Sequence, residues 1–266
     1  MSGDEVIVTI GAVLVGPVLW TLWLFQMSRA QRLHRRRVGV MPVAAALLAC
    51  AGLLLFVLRT RASFDVVDAP RYQFMYLVLG LAWLRVAQTL FPYAGLSPRD
   101  DVIERRNGAA AWAYVGALIA VTLCYAGGNV GDGPGWWVVV FAAGLATGTL
   151  LLAWAALAQL SPVADAVTID RDPAAGVRLA AFLVSCGLIL YRGVAGDWES
   201  ATATVIDFVA VLPAVVVILA LAVVVERLAR PTPGRPHAPI PMWGVLPSIV
   251  YLVVAINALR IMQWPV

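Results

Sequence analysis

SPRDDVIERRNGAAA, residues 97–111, and SPVADAVTIDRDPAAG, residues 161–176, are one phrase met twice, about 65 residues apart. Each copy opens on Ser-Pro and carries an aspartate, Asp101 or Asp165. Each then runs through an arginine and an Asx residue into paired alanines: Arg106, Asn107, Ala109 and Ala110 in the first, Arg171, Asp172, Ala174 and Ala175 in the second. A long apolar segment follows each copy, and the match resumes beyond it at Gly131-Asp132 and Gly196-Asp197. A phrase repeated at this interval between apolar stretches is the pattern of duplicated helical hairpins. Each repeat holds an even number of helices, so both copies are expected to insert in the same sense, as a parallel rather than an inverted repeat.

The rest of the chain agrees with a membrane setting. Of 266 residues 62% are hydrophobic and 13% charged, and the apolar residues lie in blocks. A soluble chain would instead show polar faces along its helices. The blocks 6–25, 43–58, 72–91, 109–126, 136–158, 174–190, 205–225 and 242–261 are each long enough, or nearly so, to cross ~30 Å of hydrocarbon. Lipid offers no partner to backbone N–H and C=O groups, so each is expected to be a helix. The fold expected is all-α, a polytopic transmembrane bundle of about eight spans with a parallel internal repeat. Its divisions are a two-helix N-terminal addition (1–70), a duplicated hairpin core (71–230, repeats about 97–160 and 161–230), and a Pro-rich linker with the last span (231–266).

Charge sets the expected orientation. Every basic side chain is Arg. The loops after the odd-numbered segments hold Arg29, Arg32, Arg35, Arg36, Arg37, Arg99, Arg105, Arg106, Arg171, Arg227, Arg230 and Arg235; the even loops hold Arg59, Arg61, Arg71 and Arg192. The positive-inside rule then places the odd loops in the cytoplasm and both termini outside. Asp4 and Glu5 before the first segment fit that orientation and argue for a retained helix rather than a cleaved signal peptide, which opens on a basic region. With the arginines distributed this way, the net charge of +4 marks topology and contact with the lipid bilayer, not nucleic-acid binding.

Several chemistries lack their residues. Cys50, Cys124 and Cys186 lie far apart inside predicted spans and read as small apolar residues. His34 and His237 stand alone in loops. There is no metal-ligand spacing, Gly-rich phosphate loop, nucleophile elbow or paired intramembrane aspartate. No catalytic residue, metal or cofactor is therefore assigned, and the chain is expected not to be an enzyme.

Read locally, the phrase is a set of helix starts. Ser97 and Ser161 suit N-cap positions and Pro98 and Pro162 the first turn, where the missing N–H costs nothing. Asp100 stands where a capping box places its acid. A short interfacial helix through Val102 and Ile103 is expected, with Arg99, Asp101, Arg105 and Arg106 toward water. Asn107 and Asp172 then cap the next spans, and the alanines behind them leave room for a neighbouring backbone. Capping alone accounts for every residue type. The functional alternative has the two capped N-termini facing each other as an anion site or pore mouth. The carboxylate of Asp172 already occupies one of those dipoles, which weakens an anion site.

Asn107, Ala109, Ala110 and Gly116, answered by Asp172, Ala174, Ala175 and Gly176, resemble the entrance motifs of the YjfL-type bacterial inner-membrane family, grouped as domain of unknown function 350. The resemblance covers roughly residues 72–197. Asp172-Pro173 stands where Asn-Thr is more usual, and Arg178 lies one turn inside the second motif helix. The resemblance implies a bacterial inner-membrane protein, often encoded near membrane-stress components, and supplies no reaction, substrate or catalytic residue.

Four ionisable groups fall inside predicted spans: Arg85, Arg178, Asp207 and Arg260. A charge at a helix centre costs ~2.5–3.5 kcal/mol on insertion scales, so each needs a partner or water. Arg178 and Arg260 are expected to snorkel to the interface. Arg85, with Gln88 beside it, is expected to point into the bundle toward Asp101, Asp165, Asp172 or a cluster of helix-end carbonyls. Asp207 is expected to meet Arg192, Arg260 or Asn257. For Arg85 and Asp207 a structural ion pair and a place on a conduction path remain open. Gly144 and Gly148 form a close-packing pair, expected to act within one chain and otherwise between two copies. Trp136, Trp137, Trp198 and Trp264 read as interfacial anchors.

These observations lead to a non-enzymatic scaffold or sensor of envelope stress that recruits cytoplasmic partners through its Arg-rich inner loops. The rival is an ion or small-solute permease lined by Arg85, Asn107, Asp172 and Asp207. A packed interior favours the first, and a polar cavity reaching mid-membrane the second.

Overall fold

The structure, a computed structural model, describes residues 1–33, 40–230 and 239–262, and among them there is no strand. His34, Arg35, Arg36, Arg37, Arg235, His237 and Trp264, and most of the Pro-rich linker, lie outside the described residues.

The chain begins with α1 (Gly3–Val13), which passes through a π turn at Leu14–Val18 into α2 (Leu19–Leu33). Pro17 inside that turn has no N–H to offer an α-helical bond, which accounts for the widened ladder. Next come α3 (Val40–Thr60), one turn of α4 (Phe64–Val67) and α5 (Pro70–Gln88). A π-helical turn at Pro98–Glu104 precedes α6 (Gly108–Gly127), followed by α7 (Trp136–Leu160), the short α8 (Val163–Thr168) and α9 (Pro173–Val194). The chain ends with α10 (Ala201–Leu228), a π turn at Ile240–Val245 and α11 (Leu246–Ile261).

Among the described residues seven helical stretches are long and apolar enough to cross a membrane, and the protein is a multi-pass membrane protein. The segment expected at 72–91 forms α5, which stands outside those seven and carries Arg71, Gln73, Arg85 and Gln88. It is held by protein on one face: Met75, Val78, Ala82 and Leu84 are buried.

The centre is the pair α6 and α9. Its contacts advance together along both helices: Gly176 against Ala109, Gly116 against Ala180, Gly187 against Ala120, and Gly127 against Tyr191. The two helices therefore run parallel, with their capped N-termini at the same end. A Cβ on Gly176 would stand 2.3 Å from the Ala109 carbonyl oxygen, and one on Gly116 2.4 Å from Ala180 Cα. Small residues are required here because backbone meets backbone, and that contact is what drives association where lipid supplies no hydrophobic force. Around the pair, α3 and α5 pack on the α6 side, and α10 and α11 on the α9 side. Helix α7 touches both members of the pair, while α1 and the Pro17 turn lie on α5.

The expected close-packing pair in α7 does not play that part. Gly148 is exposed, with nothing within 4 Å of a Cβ, and at Gly144 a Cβ would reach only the Trp83 ring at 4.0 Å. The close approaches lie on α6 and α9, where the neighbouring surface is backbone.

Candidate functional site

At one end of the central pair the two copies of the phrase adopt the same local geometry. Asn107 Oδ1 accepts from the amides of Ala109 (3.0 Å) and Ala110 (3.3 Å). Asp172 accepts from those of Ala174 and Ala175, both at 3.2 Å. Each cap is preceded by an arginine in the left-handed region, Arg106 at φ 52° and Arg171 at φ 54°. The cap amides reach back six residues, Asn107 to the Asp101 carbonyl (3.0 Å) and Asp172 to that of Ala166 (2.9 Å). One residue thus closes the short helix and opens the long one. The strained arginine, costing about 1–3 kcal/mol, is what turns the chain between them. Asn107 Nδ2 then donates to the Val167 carbonyl at 2.6 Å, tying the first cap to α8 of the second copy.

The two Ser-Pro starts diverge. Ser97 Oγ accepts from the Asp100 amide at 3.2 Å as a cap should. Asp101 takes the returning bond, accepting from the Ser97 amide at 2.8 Å and from Arg105 at 3.2 Å. Asp101 is therefore buried rather than facing water, because it serves as acceptor for its own turn. Ser161 caps nothing: its hydroxyl donates to the Leu157 carbonyl at 2.7 Å and finishes α7. Asp165 is exposed.

The intramembrane charges fall out differently from expectation. Arg178 does not snorkel. It is 1% exposed and grips Glu226 of α10 in bidentate fashion, Nε to Oε1 and Nη2 to Oε2, both at 2.7 Å. Its Nη1 donates to the Trp243 carbonyl at 2.6 Å, and Asp172 Oδ2 lies 4.0 Å away. The C-terminal helices close over the guanidinium, so it has no route to the interface. Asp172 serves both this cluster and the α9 cap.

Arg85 forms none of the expected ion pairs. It is half-buried, with its guanidinium 5.7 Å from the Trp20 ring centroid and Nε without a partner. Trp20 is fixed there by donating its indole N–H to the Leu81 carbonyl at 3.0 Å, so α2 rather than an inner loop covers Arg85. Gln88 is buried with Oε1 unpaired. Asp207 is exposed and meets neither Arg192 nor Arg260; Asn257 donates instead to its own helix at Val253. Arg192 reaches the carbonyls of Ala195 and Met262 at 3.5 and 3.4 Å, and Arg260 is exposed. Asn107 and Asp172 thus sit as caps at one end of the central pair, while Arg85 lies against Trp20 and Asp207 is exposed. Cys50, Cys124 and Cys186 are free and buried.

Glu226 was not singled out by the sequence, although a signal existed. Val211, Val215, Ile218, Ala222 and Glu226 recur at helical spacing as one buried stripe of α10. The apolar block ended at residue 225, which set Glu226 among the loop charges.

At the opposite end the two Gly-Asp dipeptides lie side by side. The Gly196 amide donates to the Val130 carbonyl (3.0 Å), that of Trp198 to Asp132 (2.7 Å), and that of Asp132 to Asp197 Oδ1 (2.8 Å). Gly131 has φ 95°, and a Cβ there would stand 2.3 Å from the Gly196 carbonyl carbon.

The family model that matches the chain is that of a Domain of Unknown Function, DUF350, over residues 60–191. This half of the chain belongs to the DUF350 family. The DUF350 region takes in α5 to α8, both caps, nearly all of α9, and Arg178; Glu226 and Trp243 lie outside it. The buried charge cluster therefore joins the DUF350 region to the two helices that follow it. No curated protein and no solved structure matches the chain.

Proposed function

We propose that this protein is a non-enzymatic scaffold or sensor of the bacterial plasma membrane, with its capped, Arg-rich end in the cytoplasm and both termini outside. The observation that carries the reading is the filled centre of the bundle. Ala110, Ala113, Leu118, Val121, Cys124, Leu183 and Leu190 are fully buried along α6 and α9, so apolar side chains fill the middle of the bundle. The charged groups are used as caps and as a clamp between helices. The inner end presents Arg99 paired with Glu104 at 2.9 Å and an exposed Arg105, a charged surface suited to recruiting a cytoplasmic partner. The proximity of relatives to membrane-stress components, implied by the family resemblance, points to envelope stress as the setting. Self-association through the exposed Gly148 face belongs to the same proposal.

The test pairs two measurements. Purified protein in vesicles should raise potassium, proton or chloride flux no further than empty vesicles do. In cells lacking the gene, a plasmid copy should restore an envelope-stress reporter, and Arg99→Glu with Arg105→Glu should abolish that rescue at equal protein level. Flux above the empty-vesicle level overturns the reading in favour of a permease, and rescue by the charge-reversed copy removes the inner surface from it.

A further inference from the structure

The two C-terminal spans leave much of their surface outside the bundle. The apolar stretch of α10 is 28% buried within the chain and that of Ile240–Ile261 22%, against 78% for α6. Lipid satisfies the apolar part of that surface, such as Ile206, Val209, Val253 and Ile256. It does not satisfy Asp207, Asn257 and Arg260, all three of them exposed. Asp207 and Arg260 are of opposite charge, and neither is ion-paired among the described residues.

Contacts with α9 set these two residues at one depth. A Cβ on Gly193 would stand 2.5 Å from Val211 and 3.4 Å from Phe208, and Arg192 Nη2 reaches the Met262 carbonyl at 3.4 Å. Both helices are thus registered on the same turn of α9, and Asp207 and Arg260 lie beside that turn. Helical spacing sets their directions. Arg227 donates from Nε to the Leu160 carbonyl at 3.0 Å, so its flank of α10 faces α7. Asp207, twenty residues earlier, comes roughly 160° round from it, on the flank toward α11. In α11, Ser248, Tyr251 and Ala255 form the buried stripe. Arg260, nine residues after Tyr251, comes roughly 180° round and lies on the side away from the bundle. Asn257, three residues before Arg260, shares the outward side; its Nδ2 donates to the Val253 carbonyl at 2.9 Å, which leaves the amide oxygen as an acceptor.

Arg260 has a long stem and sits in the last turn of α11, so it can reach headgroups by itself. Asp207 cannot. Its carboxylate hangs on one methylene, about 9 Å along the axis from the start of α10 at Ala201 and inside the boundary that Trp137 and Trp198 mark. An acid so placed calls for a cationic partner. We propose that the α10–α11 face binds a second copy of this chain, with Asp207 of each copy paired to Arg260 of the other. A two-fold axis along the membrane normal preserves depth, so two residues at one depth meet reciprocally, twice per dimer. The planar fork of arginine donates to both carboxylate oxygens, and the spare acceptor of Asn257 adds a polar contact of the kind that joins helices in lipid. This face is not that of Gly148, and the pairing holds whether the protein is a scaffold or a permease.

The test places the full chain, carrying a donor or an acceptor dye, in vesicles of phosphatidylethanolamine and phosphatidylglycerol. Energy transfer between copies is followed as the protein is diluted in lipid. The parent should self-associate saturably. Asp207→Arg and Arg260→Asp should each weaken this at least about a hundredfold, roughly tenfold for each of the two pairs lost. Mixing the two variants is the decisive arm. The mixed dimer regains both pairs, so transfer between the variants should return to the parent level, which neither pairing inside one chain nor snorkelling can produce. Both positions are exposed, and thermal melts of the variants should match the parent. Where a reversal lowers the melt, Asp207→Asn and Arg260→Gln remove the same pairs without setting like charges together, and should weaken association by the same factor. Gly148→Leu should leave it unchanged. A parent that stays monomeric at every dilution, variants that associate as the parent does, a mixture of the two reversals no better than either alone, or dispersal by Gly148→Leu would each overturn the proposal.

Discussion

Arg178→Ala is expected to be the most damaging single change in the C-terminal half. It removes two 2.7 Å bonds to Glu226 and one 2.6 Å bond to the Trp243 carbonyl. What remains is a carboxylate 2% exposed with no counter-charge. Two unit charges about 4 Å apart at an effective dielectric near 20 attract by roughly 4 kcal/mol, and stripping one partner from a buried pair costs about 3–5 kcal/mol. Glu226→Ala should cost less, since Asp172 at 4.0 Å and the Trp243 carbonyl still face the guanidinium. Arg178→Met combined with Glu226→Leu removes both members of the close pair and leaves Asp172 held by its two cap amides. Its cost should fall to about 1–2 kcal/mol, mainly for the lost bond to the Trp243 carbonyl. The assay is reversible unfolding in mixed micelles, with the single and double variants closed into a thermodynamic cycle. A coupling energy of at least ~3 kcal/mol is expected. The reasoning is refuted if Arg178→Ala lies within about 0.5 kcal/mol of the parent, or if the double variant loses as much as the two singles together.

Other expectations follow from the same geometry. Gly176→Ala should destabilise by about 1–3 kcal/mol, since its Cβ meets the Ala109 carbonyl, while Gly148→Ala should stay within about 0.5 kcal/mol; thermal melts in detergent compare the two. Asn107→Ala should cost about 1–2 kcal/mol through the lost cap and the lost bond to Val167, whereas Asn107→Asp keeps the cap but loses that bond, and so should fall between. Arg85→Met should cost no more than about 1 kcal/mol in the same melts, because among the described residues its guanidinium meets the Trp20 ring and no ion-pair partner; a larger loss would refute that account. Reporter fusions after Pro98 and Ala164 should report cytoplasm and those after Asp132 and Asp197 the opposite side, and any other outcome reverses the proposed orientation.

The all-α membrane fold was legible from composition, because a hydrocarbon solvent leaves the backbone little choice. The positions of the helices that open at Asn107 and Asp172 were equally legible, since capping is a local interaction among residues two or three apart. So was the family, carried by those caps and the alanines behind them. Partners across the bundle were not legible. Which charge Arg178 meets depends on α10 and α11 folding back over α9, a contact spanning 48 residues to Glu226 and 65 to Trp243. The fate of Arg85 turned on where α2 crosses α5, and the two orphaned glycines of α7 on which helix faces met. The Ser-Pro starts part for a local reason: Ser97 pairs with Asp100 three residues on, whereas Ala164 stands there in the second copy and Ser161 closes the preceding helix. Local hydrogen bonds and solvent preference are written in short stretches of chain. Long-range pairing is decided by which surfaces come together, and only the tertiary structure records that.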